Sequence, residues 1–211
     1  MQAFRFASVA LVLLWASVAQ AQGWTPVEKI QTYAITGRTG IELYRSIGEN
    51  GPKAGTGRAI AITDFELKWS RDYQPRDGGC ILVSAKPHLT IVYRLPKPSN
   101  KLPEPLQPFW NTFIRGVEKH ERVHGAMIVE TVKAIEAATV GTFVPNDPKC
   151  RAVRKEVERR TVPLVEEQRR QSRAFDREEL SDGGNVHSLI LGLVNGPAAP
   201  GTRLPYAQPN L

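Results

Sequence analysis

Hydrophobic positions come in three regimes along the chain. The first is a short leader: Met1 to Phe6 carries one charge, Arg5, an apolar run follows from Ala7 to Val18, and Ala19-Gln20-Ala21 closes it. A charged start, a short apolar stretch and a small-x-small site are the pattern of a secretory signal peptide, so residues 1–21 are expected to be removed after Ala21. The run falls short of the roughly 20 apolar residues that a membrane span needs. No later run is long enough either, and the mature chain is expected to carry no transmembrane anchor.

The second regime is near period two. Residues 28–37 alternate and end at Gly37, predicting a strand. After a short helix predicted over 40–50, where Ile41, Leu43, Tyr44 and Ile47 cluster at helical spacing before Gly51-Pro52, alternation resumes. Ile60, Ile62, Phe65, Leu67 and Trp69 mark a strand over 59–70, and Ile81, Val83, Leu89, Ile91 and Tyr93 mark another over 80–95. The turn Pro75-Arg76-Asp77-Gly78-Gly79 between them predicts an antiparallel hairpin. Residues 96–108 are punctuated by proline and read as a loop.

The third regime has a period of 3.6. It predicts a long helix from Pro108 to Val140, broken by Asn146-Asp147-Pro148, and a second over Cys150–Glu179, rich in Arg and Glu, that Pro163 can kink. Past Gly183-Gly184 an apolar segment, Val186–Val194, leads into a Pro/Gly-rich end. The expected organisation is one domain over 22–184 and a C-terminal tail over 185–211. Strands first and helices later give an α+β class: a small antiparallel sheet packed on the helix of residues 108–140, with the second long helix closing the other side.

Composition changes this picture in two places. There are only two cysteines, Cys80 and Cys150. In an exported chain an even count points to a disulfide, and closing so long a loop is worth about 4 kcal/mol in the chain-entropy account. The net charge of +7 raises nucleic acid as a partner, but the basic residues are interleaved with carboxylates, as in Arg151–Glu167. A solvated helix face explains them, and no nucleic-acid partner is expected.

The candidate chemistry lies in the first long helix. His120-Glu121-Arg122-Val123-His124 is H-E-x-x-H. Histidines at i and i+4 project from one helical face, so both imidazoles can reach one ion, and zinc suits imidazole nitrogen. With His120 at zero, His124, Phe113 and Val117 fall within about 60°, whereas Arg115, Glu118, Lys119 and Arg122 lie opposite. The pair therefore sits on the core-facing stripe, where buried imidazoles need partners. Glu121, about 100° round the helix, is placed to act as a general base rather than a ligand. A metzincin would carry a histidine at position 130 and a glycine at 127; here Glu130 and Met127 stand there, and the helix continues. The third metal ligand must come from elsewhere, with Asp176, Asp182 and His187, around the end of the second long helix, as candidates. Tyr73 and Tyr93 are possible oxyanion donors, though strand tyrosines more often only pack.

From Tyr33 to Gly183 the chain resembles an uncharacterised bacterial family of predicted secreted zinc-dependent proteases, a domain of unknown function. Tyr33 with Gly37, Gly51-Pro52, Trp69, Cys80, Leu95-Pro96, Trp110, His120 to His124, Cys150 and Phe175-Asp176 carry the resemblance, in that order. It implies an α+β fold, an exported location and a disulfide between Cys80 and Cys150. One departure is informative: the family pattern has Tyr-Asp followed closely by His-Gly, and here Phe175-Asp176 is followed by Ser181-Asp182-Gly183. Asp182 standing in for that histidine is the first choice of third ligand.

The expected function is hydrolysis of peptide amides in the periplasm or outside the cell, with His120, His124 and Asp182 on zinc and Glu121 as base. Two rivals remain: a zinc amidase acting on cell-wall peptides, and a non-catalytic zinc-binding or interaction protein of the envelope.

Overall fold

A computed structural model describes residues 23–196; the leader over 1–21 and the end of the chain past 196 lie outside the described residues. The elements in chain order are β1 (Val27–Ile35), α1 (Gly40–Asn50), β2 (Lys53–Ala54), β3 (Gly57–Arg58), β4 (Ile62–Arg76), β5 (Gly79–Pro98), α2 (Gln107–Thr139), β6 (Phe143–Val144), α3 (Arg151–Leu180) and α4 (Asn185–Val194). The class is α+β, as expected.

Local chemistry sets several boundaries. Thr39 caps α1: its side chain accepts from the Glu42 N–H, and the Glu42 carboxylate accepts from the Thr39 N–H, a reciprocal capping box. Asp147 accepts from the backbone N–H groups of Arg151 and Val153, at 2.8 and 2.9 Å, and so starts α3. The β4–β5 hairpin turns through Asp77 and Gly78, both at positive φ, which a two-residue hairpin turn requires.

The main sheet has the order β1-β5-β4, with β6 on the end of β5. β4 and β5 pair antiparallel, as the alternation predicts. β1 corrects the expectation of a wholly antiparallel sheet, because it pairs parallel to β5. The connection through α1 and the β2–β3 hairpin carries the chain across the sheet, so β5 returns between β4 and β1. A parallel neighbour needs such a crossover, and hydrophobic alternation carries no sign of strand direction.

One sheet face is covered. Ala85, Pro87, Leu89, Ile91, Tyr93 and Leu95 of β5 are buried, while Lys86, His88 and Arg94 between them are exposed. The covering element is α2, which contributes Trp110, Phe113, Val117, Ile128 and Val132 to the same core. Its approach is close at Gly125, where a Cβ would collide with the Tyr93 hydroxyl; only glycine lets helix and strand meet there. On the sheet end away from β1, the Cys80–Cys150 disulfide, with Cα atoms 5.2 Å apart, ties β5 to the start of α3. α3 runs through Pro163 without interruption.

The boundary expected at residue 184 falls inside the packed unit. Gly183, at φ +80°, reverses the chain after α3, and residues 185–194 form α4, with Val186 and Leu193 buried. Leu189 of α4 packs against Gly116 of α2. Among the described residues no helix is long and apolar enough to cross a membrane.

Candidate metal centre

The apolar stripe that docks α2 on the sheet also carries His120 and His124, each 8% exposed. One helical turn separates them, and their Nε2 atoms face each other at 3.1 Å. A third donor comes from α3: Asp176 Oδ1 lies 3.2 Å from His120 Nε2 and 2.8 Å from His124 Nε2. Zinc binds nitrogen or carboxylate oxygen at about 2.0–2.2 Å, so neighbouring ligand atoms of a tetrahedral set stand about 3.3 Å apart. The three observed separations approach the edges of such a tetrahedron. Two imidazole nitrogens and a carboxylate oxygen converging so closely can be matched by one cation, and among the described residues these three form the group able to hold one. The donor set suits a divalent metal; its chemistry is compatible with zinc.

The outer nitrogens of the two imidazoles differ in their surroundings. Ser172 Oγ lies 2.9 Å from His124 Nδ1. His120 Nδ1 is buried with no hydrogen bond, and the Glu179 carboxylate is 3.6 Å from it, tethered in turn by Asn185 Nδ2 at 3.0 Å. Polar partners on the outer nitrogen fix ring orientation and tautomer in metal-binding histidines. Phe175 stacks on the His120 ring, with centroids 4.7 Å apart, and meets His124 edge-on.

Glu121 turns away from the pair toward the sheet. It is 5% exposed, and its Oε2 accepts from the Thr63 hydroxyl of β4 at 2.6 Å. Burial, ahead of the opposing effects of Thr63 and the charges of His124 and His120, pushes the Glu121 carboxyl above the usual carboxylate range. For Asp176, burial again pushes upward, but the bonds to His120 and His124 override it and hold the carboxyl below that range. Burial lowers the His120 pKa, yet the bond to Asp176 and the charges of Glu121 and Asp176 outweigh it, leaving the imidazole more basic than usual.

All four side chains open into one cleft of about 600 Å³, bounded by residues 58–65, α2, the end of α3, and α4.

Against the sequence reading, His120, Glu121, His124 and Asp176 are brought together and Asp182 is not. α3 continues to Leu180, which leaves Asp182 on the turn beyond, fully exposed, with the His187 ring 3.9 Å away. The first choice of third donor is therefore corrected to Asp176. Cys80 and Cys150 are joined as expected. Thr63, Ser172 and Glu179 were not anticipated. A signal for α3 exists: Ser172, Asp176 and Glu179 stand at i, i+4 and i+7, one face of a helix otherwise crowded with Arg and Glu. Tyr93 packs under Gly125, Tyr73 lies beneath Arg154, and neither lines the cleft.

Residues 30–184 match a family described as bacterial protein of unknown function (DUF922). The chain belongs to this family. No curated protein and no solved structure matches it. The DUF922 match runs from β1 to the turn after α3 and so contains every donor of the cluster, whereas α4, which closes the cleft, lies just outside it.

Proposed function

We propose that the protein is an exported zinc-dependent peptidase in which His120, His124 and Asp176 hold the metal and Glu121 is the general base. The observation that carries this reading is the convergence of two Nε2 atoms and one Oδ1 within 3.2 Å of one another, beside a buried carboxylate in a common cleft. Bound zinc supplies Lewis acidity, which acidifies water and polarises a carbonyl. The chain's own residues do the rest. Ser172 orients the His124 imidazole, Phe175 stacks on that of His120 beside the Glu179 carboxylate, and Thr63 fixes one oxygen of Glu121, leaving the other free to act. Glu121 takes a proton from the attacking water and returns it to the leaving amine. Burial raises the Glu121 pKa above the usual carboxylate range, the direction that favours holding and then releasing a proton. The leader sequence and the disulfide support export, because disulfides persist in oxidising compartments.

A test is Glu121→Gln, compared with wild type on casein and on peptidoglycan fragments. The variant should keep its metal and fold while losing turnover by about 10²–10⁴-fold, the usual share of a general base. Undiminished turnover in Glu121→Gln contradicts the assignment. A non-catalytic metal site is the second reading, and the observation on its side is the Thr63 bond, which ties Glu121 into the fold. That reading expects no metal-dependent hydrolysis of either substrate.

A further inference from the structure

The cleft is continuous with the metal donors, and its walls differ from them in character. On α2, Val117 lies one turn before His120 and Ile128 one turn after His124, so the stripe carrying the donors is apolar on both sides. Ile60 and Ala61, just before β4, form a second wall, and Val186 and Ile190 of α4 form a third. Phe65 and Leu180 border the same cleft while half exposed, at 51% and 50%, so the apolar surface continues to its mouth. Apart from His120, Glu121, His124 and Asp176, the one charged side chain on the lining is Arg58. It is exposed and donates to the Gly51 carbonyl.

Resting on the peptidase reading, we propose that this cleft selects substrates with a bulky aliphatic or aromatic side chain next to the scissile amide. A leucine- or phenylalanine-sized side chain fits within about 600 Å³ and loses only water there. A charged side chain has to shed its hydration against the aliphatic walls of Ile60, Val117, Ile128, Val186 and Ile190, and Arg58, the one cation on the lining, is exposed and already donates to the Gly51 carbonyl, so burial of a charge there is disfavoured. Glycine leaves the walls wet and forgoes the hydrophobic gain.

Hydroxamates read this preference without turnover, because their head group chelates the metal and leaves the side chain to find the cleft. Two series would be titrated against the zinc-loaded protein, one placing the side chain on the acyl side of the chelator and one on the amine side. Each series carries glycine, leucine, phenylalanine, aspartate and lysine side chains. In at least one series the leucine or phenylalanine compound should bind at least about tenfold more tightly than the glycine compound, since single methylenes in such pockets discriminate by that factor. Aspartate and lysine should bind no better than glycine. Ile190→Asp should erase most of the preference while zinc content stays as in wild type; if that variant misfolds, the wild-type series decides alone. Equal binding across both series, or a preference for a charged side chain, overturns the inference and leaves the peptidase reading intact. A wild-type protein that takes up no zinc, or that carries zinc and binds no hydroxamate, overturns both.

Discussion

The two long helices are similar in length, 33 residues in α2 and 30 in α3, and are held in opposite ways. α2 buries eleven residues along a continuous stripe; α3 buries two, Val153 and Val157. Hydrophobic packing therefore fixes α2. The position of α3 is fixed by pins: the disulfide and the Asp147 cap at its start, and Ser172, Asp176 and Glu179 against the imidazoles near its end. Exposed pairs such as Glu167–Arg170 decorate its outer face and contribute little, because solvent screens them. The difference teaches that the candidate metal centre joins a rigid element to a loosely packed one. A bound ion becomes a further pin on α3 and leaves α2 almost unaffected.

The comparison can be broken or sharpened at several points. The largest effect is expected on α2, where Phe113→Ala should cost about 3–5 kcal/mol, read by denaturant unfolding. Opening the disulfide with Cys80→Ser and Cys150→Ser should cost about 4 kcal/mol; a loss close to zero would mean that α3 is held by packing after all. Stripping metal with a chelator should lower stability by about 2.7 kcal/mol relative to protein in free zinc at a hundred times its dissociation constant. Hydrogen exchange should place the loosening in residues 165–180 and not in α2, and uniform loosening would remove the distinction between the helices. The smallest effect is Glu167→Gln on the exposed face, which should leave the melting temperature unchanged.

Acidity gives a further handle, with opposite signs for two groups. In the metal-free protein the Asp176 carboxyl is held low, so its contribution is present above the ordinary carboxylate pKa and is lost as pH falls through the folded value. The His120 pKa is raised, so its contribution is present below the ordinary imidazole pKa and fades as pH rises through the folded value. Metal needs neutral imidazoles. Zinc affinity should therefore weaken on going from about pH 7.5 to about pH 5.5, because protons compete at His120; competition with a chromophoric chelator measures it.

Much of this architecture was legible in the amino-acid order, for reasons that also explain the gaps. α2 was expected over 108–140 and runs over 107–139, because a buried stripe imposes its period on the sequence. α1 was expected over 40–50, where it lies. β1 was legible as a strand, but its parallel partner was not, since pairing direction is set by the crossover rather than by alternation. α4 looks like the start of a tail in the sequence because its ten residues sit among glycines and prolines, and only the packed core reveals that Val186 and Leu193 belong to it. At the centre, the H-E-x-x-H spacing puts His120 and His124 on one buried face through helix geometry alone, with Glu121 beside them. The third donor depends on how α3 crosses α2. The family pattern drew attention to Asp182, whereas the face shared by Ser172 and Glu179 belongs to Asp176.

The most direct test is the metal content of the mature protein, purified without a metal-affinity tag, beside His120→Ala, Asp176→Ala and Asp182→Ala. The account predicts about one zinc per chain in wild type, as for a single site of three protein donors, lost in His120→Ala and Asp176→Ala and retained in Asp182→Ala. A well-folded wild type that neither carries zinc nor takes it up, or an Asp182→Ala variant that loses it while Asp176→Ala keeps it, would contradict the account.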